Sequence, residues 1–320
     1  MAADVLCIGC ALGDVLIKGI PVREDKMVDS FISGIHYVEG TQISVGGDAL
    51  NEAIILGKLG CSVQLMCGLG RDMTGELVTL QAEKAGVDTS TVVYHPTSKS
   101  GVNVLLIQED AEKYYFSERP EPSMLFTPNY EAFEGVKIVT LGSLFMPPFG
   151  EAKTARETLI RAKKAGAVTC ADVILSPLRT YGLEDLGREA LGCLDYIFPN
   201  EEEAQELTGK THPEDIADAL LGLGIGNVIL KLGSKGCFIK NSHISRYIPA
   251  FPGKAVDSTG AGDSFLGGFA AALLDGKNMV ECCRFASAVA LLVVESVGAN
   301  TGVKSREQVL DVLEKFKAVQ

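Results

Sequence analysis

Six apolar runs with strand character, VLCIGCA, SVQLMCGL, KIVTLGSL, AVTCADVI, YIFPN and NVILKLG, are separated for most of the chain by helix-like segments. The helical pattern falls at Asn51–Leu59, Thr74–Ala85, Ala152–Ala165, Leu186–Leu191, Glu201–Leu207 and Pro213–Leu221. Alternation of this kind leaves few hairpins and favours a parallel sheet covered by helices on both faces, an α/β fold. Ligands of such folds sit beyond the carboxyl ends of the strands.

Two regions break the pattern. Residues 15–45 and 92–118, with GVNVLLIQED and KYYFSE, read as short strands with no helix between them. They are expected to pair as a small antiparallel sheet, either a lid over a site or a plain edge elaboration. Residues 1–14, 46–91 and 119–320 are then the main domain, and the small unit is inserted rather than tethered, since no Pro-rich linker or low-complexity tract occurs.

At 320 residues the chain can bury a large core, and 47% hydrophobic residues with 22% charged ones describe an ordinary globular protein. A formal net charge of −12 without a basic cluster disfavours nucleic acid and anionic membranes. No leader or membrane-length apolar run is evident, and a cytoplasmic location is expected. Nine cysteines at irregular spacing suggest reduced thiols. Cys7 and Cys10 form a CxxC inside an apparent strand, with no second ligand pair to complete a metal set.

The chemistry concentrates in DSTGAGDSFLGG, residues 257–268. A helix begins at Gly260–Asp263, and a helix start offers unpaired N–H groups and the positive end of the macrodipole. Gly260 and Gly262 remove side chains that would hold a phosphate away, so the stretch reads as an anion cradle. Asp263 is an odd neighbour for phosphate unless it removes a proton from an attacking hydroxyl. On its own the stretch reads more readily as a first-turn acid on the helix dipole, with glycines that permit close packing. A second element, GGDALNEAIILGKLG at residues 46–60, again sets a double glycine before a helix, where a small polyhydroxy ligand could approach.

Together these two elements resemble the signatures of the ribokinase-like family of sugar and nucleoside kinases. CGLGRDMTGE, NEEEAQELTG and LKLGSKGCFI resemble intermediate family segments in the same order, so the resemblance spans nearly the whole chain. It implies a three-layer sandwich with a mostly parallel central sheet and a small antiparallel β lid, often a homodimer interface. It implies ATP as donor, Mg²⁺, and a hydroxyl of a small sugar as acceptor. Asp263 would be the catalytic base, with Gly260, Ala261 and Gly262 cradling the transferring group. Asn200 and Glu203 match the NxxE segment associated with Mg²⁺ through water. Lys231, Gly233, Gly236 and Ser287 would face the nucleotide, although Lys231 alone reads equally as a surface residue. Asp257 matches an acid beside a monovalent-cation site, but Gly302 stands where ribokinase carries serine, which puts potassium in doubt.

On the acceptor side, Asp14 at the end of the first strand, Gly46, Gly47 and Asn51 match sugar-contacting positions. Arg119 in YYFSERPEPSML resembles an arginine of fructokinases and ketodeoxygluconate kinases. Asp48 stands where ribokinase has a lysine, as in ketodeoxygluconate-kinase patterns, which weakens a pentose reading; the DxNxR segment of many fructokinases is absent from CADVILSP, so a ketohexose or keto-sugar acid is expected with other sugars left open. A nucleoside kinase, favoured by Tyr114, Tyr115 and Phe116, and a non-catalytic sugar-binding regulator remain alternatives. TGKT at 208–211 lacks the first glycine of a Walker loop, and no GxGxxG opens a helix after a strand, so other nucleotide motifs fail.

Overall fold

The computed structural model describes residues 2–20, 37–108, 113–117 and 121–317. A nine-stranded sheet runs in the order Ser245–Ile248, Cys237–Lys240, Asn227–Lys231, Tyr196–Phe198, Val168–Val173, Ile138–Leu144, Val5–Ile8, Val63–Met66, Val87–Asp88. All pairings from Asn227–Lys231 onward are parallel, and the two strands before it add an antiparallel edge. Side chains alternate across a strand, and here the two faces feed two cores. Val5, Cys7, Ile138 and Phe198 join one with helices Asp48–Lys58, Ala261–Leu274 and Met279–Val294. Leu6, Ile8, Val139 and Ile197 join the other with helices Ala152–Lys164 and Pro213–Gly222. The layering is therefore helix, sheet, helix, as the near-continuous apolar strands require.

The small sheet runs Gly40–Gly46, Leu12–Ile20, Val102–Gln108, Lys113–Ser117. Its outer pairs are antiparallel, but the two central strands are parallel because each opens its own hairpin in the same direction. Its first hairpin extends outward to Leu12 and Gly46, beyond the expected limits of 15 and 45. Val93–His95 pairs with Gly68–Gly70 instead of joining it. Register places Ile43, Val15, Val104 and Phe116 side by side across four strands, an apolar row with Ile43 and Phe116 exposed. Ser44, Asp14, Asn103 and Ser117 form the adjacent polar row on the opposite face.

Candidate active site

The helix Ala261–Leu274 starts at Gly260, whose left-handed backbone (φ 72°) glycine adopts without cost. A Cβ at Gly260 would lie 2.5 Å from Ala299 O, so the loop after the next helix closes directly on this turn. In the first turn, Asp263 accepts a 2.8 Å hydrogen bond from Asn51 Nδ2. Asn300 Nδ2 in turn donates to Asn51 Oδ1 at 3.0 Å, which fixes the amide so that its N–H₂ faces the carboxylate. Burial raises the Asp263 pKa to about 6 against the lowering effect of Asn51, with Asp172 adding to the rise and Lys231 opposing it.

Beside this turn opens a cleft of about 490 Å³. Asn200, Lys231, Gly233, Gly236, Gly262 and Ser287 line it together with Ala261, whereas Glu203, Gly260 and Asp263 lie outside its lining. Its remaining wall is largely apolar, with Phe251, Phe265, Leu291 and Val294. Gly236 (φ 99°) is required because a Cβ there would meet Ile248 O at 2.0 Å. Ser287 Oγ is spent on its own helix, donating to Cys283 O at 2.8 Å.

Asn200 and Glu203 form a reciprocal cap on helix Glu201–Thr208: Glu203 N donates to Asn200 Oδ1 at 2.9 Å and Asn200 N to Glu203 Oε2 at 2.8 Å. Burial raises the Glu203 pKa to about 7, offset in part by the nearby Lys231 charge. Lys231 is not the surface residue its sequence context allowed. Its ammonium donates to both oxygens of Asp172 at 2.6 and 2.5 Å, with side-chain exposures of 17% and 4%. Asp172 is the one acid in the strand Val168–Val173 and lies next to its end.

On the acceptor side, two expectations change. Asp14 does not end the first strand, which stops at Ile8; it lies within Leu12–Ile20 of the small sheet. There it accepts from Asn103 Nδ2 at 3.3 Å, and burial raises its pKa to about 6. A Cβ at Gly46 would meet Asp14 Oδ2 at 2.1 Å, so this glycine keeps room for the carboxylate. Asp48 is buried, at 5% exposure, and turns inward rather than toward an acceptor. Its Oδ1 accepts from Cys10 N at 2.7 Å and Ala49 N at 2.6 Å, and a Cβ at Gly9 or Gly142 would meet that oxygen at 2.5 or 2.6 Å. Asp48 therefore clasps the chain at this point. Gly47 (φ 99°) lets the turn pass close over Cys10 O. Arg119 lies outside the described residues.

Asp257 is buried and ties its own loop to the loop after the Met279–Val294 helix. Oδ1 accepts from Thr259 N at 3.0 Å and Thr259 Oγ1 at 2.7 Å, and Oδ2 from Gly298 N at 3.0 Å. A Cβ at Gly302 would meet Leu292 O at 1.9 Å, so no serine hydroxyl fits there on this backbone. Cys7 and Cys10 are buried thiols whose pKa values burial pushes up, and Cys10 lies past the strand end, donating to Pro147 O at 3.1 Å. Among the described residues no helix is long and apolar enough to cross a membrane.

Residues 10–306 match the family described as pfkB family carbohydrate kinase. The chain belongs to this family. It is 31% identical to the ribokinase of Haemophilus influenzae over 281 residues, covering 85% of this chain and 88% of that protein. It is 27% identical to the 2-dehydro-3-deoxygluconokinase of Bacillus subtilis over 301 residues, covering 89% and 91%. Among solved structures, Arabidopsis thaliana ribokinase complexed with ribose and ATP superposes with a TM-score of 0.82 at 27% identity, covering 98% of this chain and 99% of that one. As a member of this ribokinase-like group the chain is an ATP-dependent carbohydrate or nucleoside kinase.

Proposed function

We propose that the protein transfers the γ-phosphoryl of ATP to a hydroxyl of a small sugar, a ketohexose or a keto-sugar acid. The observation that carries this reading is the Asn51–Asp263 hydrogen bond at the helix start that borders the 490 Å³ cleft. A carboxylate with a pKa near 6 is ionised at neutral pH and still basic enough to accept a proton. In the step, Asp263 takes the acceptor's hydroxyl proton as its oxygen bonds to the γ-phosphorus. The bond to the bridging oxygen breaks and ADP leaves with that electron pair. Backbone N–H groups of Gly260 and Gly262 hold the charge that develops, joined by that of Ala261 when it gives up its 3.2 Å bond to Ser258 O. The apolar wall of the cleft suits the adenine, and Lys231 meets the phosphate end.

Mg²⁺ keeps several waters and needs only one or two carboxylates beside the phosphates. Asn200 lines the cleft, and Glu203 lies within the first turn of the helix that Asn200 caps, so that pair would hold the ion through its waters rather than directly. Bound with ATP, the ion would neutralise charge on the phosphoryl group. A monovalent cation does not fit as well: Asp257 already accepts from three donors and Gly302 offers no oxygen side chain.

The polar row of the small sheet, with Asp14 and Asn103, would face the acceptor and exclude water on closing. The exposed row of Ile43 and Phe116 supports a homodimer through this sheet. A cytoplasmic location accords with the reduced cysteines. Ribose is a second reading, favoured by the 31% identity to a ribokinase. ADP release measured against fructose, 2-keto-3-deoxygluconate, ribose and adenosine tests the assignment. Highest kcat/KM on ribose or adenosine would replace the proposed substrate, and no phosphorylated product from any acceptor would leave a sugar-binding regulator.

A further inference from the structure

A second cavity of about 490 Å³ shares no lining residue with the nucleotide cleft. It is walled by the Asp48–Lys58 helix, the Met73–Lys84 helix, strand Gly40–Gly46 and the loop after Val294. Three lysines converge on it, Lys58, Lys84 and Lys304, joined by Gln81, Asn300 and Thr301. None of its lining residues is acidic, and no described carboxylate pairs with any of the three lysines. In a chain of net charge −12 this is an unusual local excess of positive charge.

Two of the cations are held in place by consecutive carbonyls. Lys58 Nζ donates to Asn300 O at 2.7 Å, and Lys304 Nζ donates to Thr301 O at 2.7 Å. Each ammonium keeps protons for a further acceptor. Burial and the neighbouring Lys304 charge lower the Lys58 pKa to about 8, a repulsion that a bound anion would relieve. Like charges gathered without counter-charges raise the energy of the empty site and favour a compact polyanion. We propose that this cavity is a binding site for a dianionic phosphate group, free or carried on a small sugar. The site is linked to the reaction centre, because Asn300 touches Lys58 through its carbonyl and Asn51 through its side chain.

Calorimetric titration of inorganic phosphate into the full-length protein, saturated with Mg²⁺ and a non-hydrolysable ATP analogue and held at constant ionic strength with chloride, tests the proposal. One phosphate per chain is expected. A Lys84→Gln/Lys304→Gln double variant, which changes two exposed side chains outside the reaction machinery, should bind it about tenfold more weakly or worse while keeping wild-type kcat. Absence of binding to the wild type, or binding by the double variant within about twofold of it, overturns the site. Titration with glucose 6-phosphate separates the sources: tighter binding than inorganic phosphate identifies an ester, and equal or weaker binding identifies the free ion.

Discussion

Replacing Asn51 with leucine separates the base's proton affinity from its placement. Asn51 Nδ2 donates to Asp263 Oδ2 at 2.8 Å and lowers a pKa that burial holds at about 6. A hydrogen bond to a charged group contributes roughly 1.5–3 kcal/mol, and a pKa unit is 1.36 kcal/mol, so losing the bond raises the pKa by about 1–2 units. At pH 7 the ionised fraction then drops from about nine-tenths to between about half and one-tenth, lowering kcat/KM roughly two- to tenfold through ionisation alone. That portion returns by pH 9, whereas a lost sugar contact does not. The assay is kcat/KM for the sugar from pH 5 to 9.5 at fixed ionic strength. Activity should fall as pH drops through about 6 in the wild type and through a higher pH in the variant. An acid limb that stays near 6 in the variant would refute the assignment of Asp263 as the titrating base.

Asp263→Asn should lower kcat by roughly 10²–10⁴ with little change in nucleotide affinity, measured by single-turnover kinetics and calorimetry. The same variant should melt higher at pH 8 and unchanged at pH 4, because a folded pKa raised above the unfolded value makes ionisation cost stability as pH rises. Lys231→Met leaves Asp172 buried without its counter-charge, with only Val173 N still donating to it, and should cost about 3–5 kcal/mol in urea unfolding, most of it regained when Asp172→Leu is added. Gly302→Ser should lower the Tm, with a cost of about 1–3 kcal/mol from the clash with Leu292 O, and should confer no potassium dependence on the rate. Glu52 is fully buried, with Oε2 bonded to Thr140 Oγ1 and Oε1 without a partner, and burial raises its pKa. Glu52→Gln should therefore stabilise the protein increasingly as pH rises above about 4.5, seen as a growing Tm difference.

What could be read directly from the chain was local. The GAGD turn, the Asn200–Glu203 cap and the Gly233–Gly236 turn each place their groups within a few residues, so spacing alone specifies the geometry. The missed contacts join distant positions. Lys231 meets Asp172 across 59 residues, and Asn300 meets Asn51 across 249, so neither pair leaves a periodic trace. The break between Ile8 and Leu12 escaped notice because Gly9, Cys10 and Ala11 are buried like the strands they separate, and the run reads as one element. Asp48 stood out by its type, yet its surroundings are made by Gly9 and Gly142, remote glycines whose purpose only three dimensions reveal.

The Asp48 clasp has a mechanical consequence. One carboxylate oxygen joins the point where the chain leaves the large sheet, at Cys10, to the point where it returns, at Ala49. The first hairpin of the small sheet is thus riveted at its root. That rivet lies one helical turn from Asn51, so the root of the hairpin and the partner of Asp263 are carried by the same rigid turn.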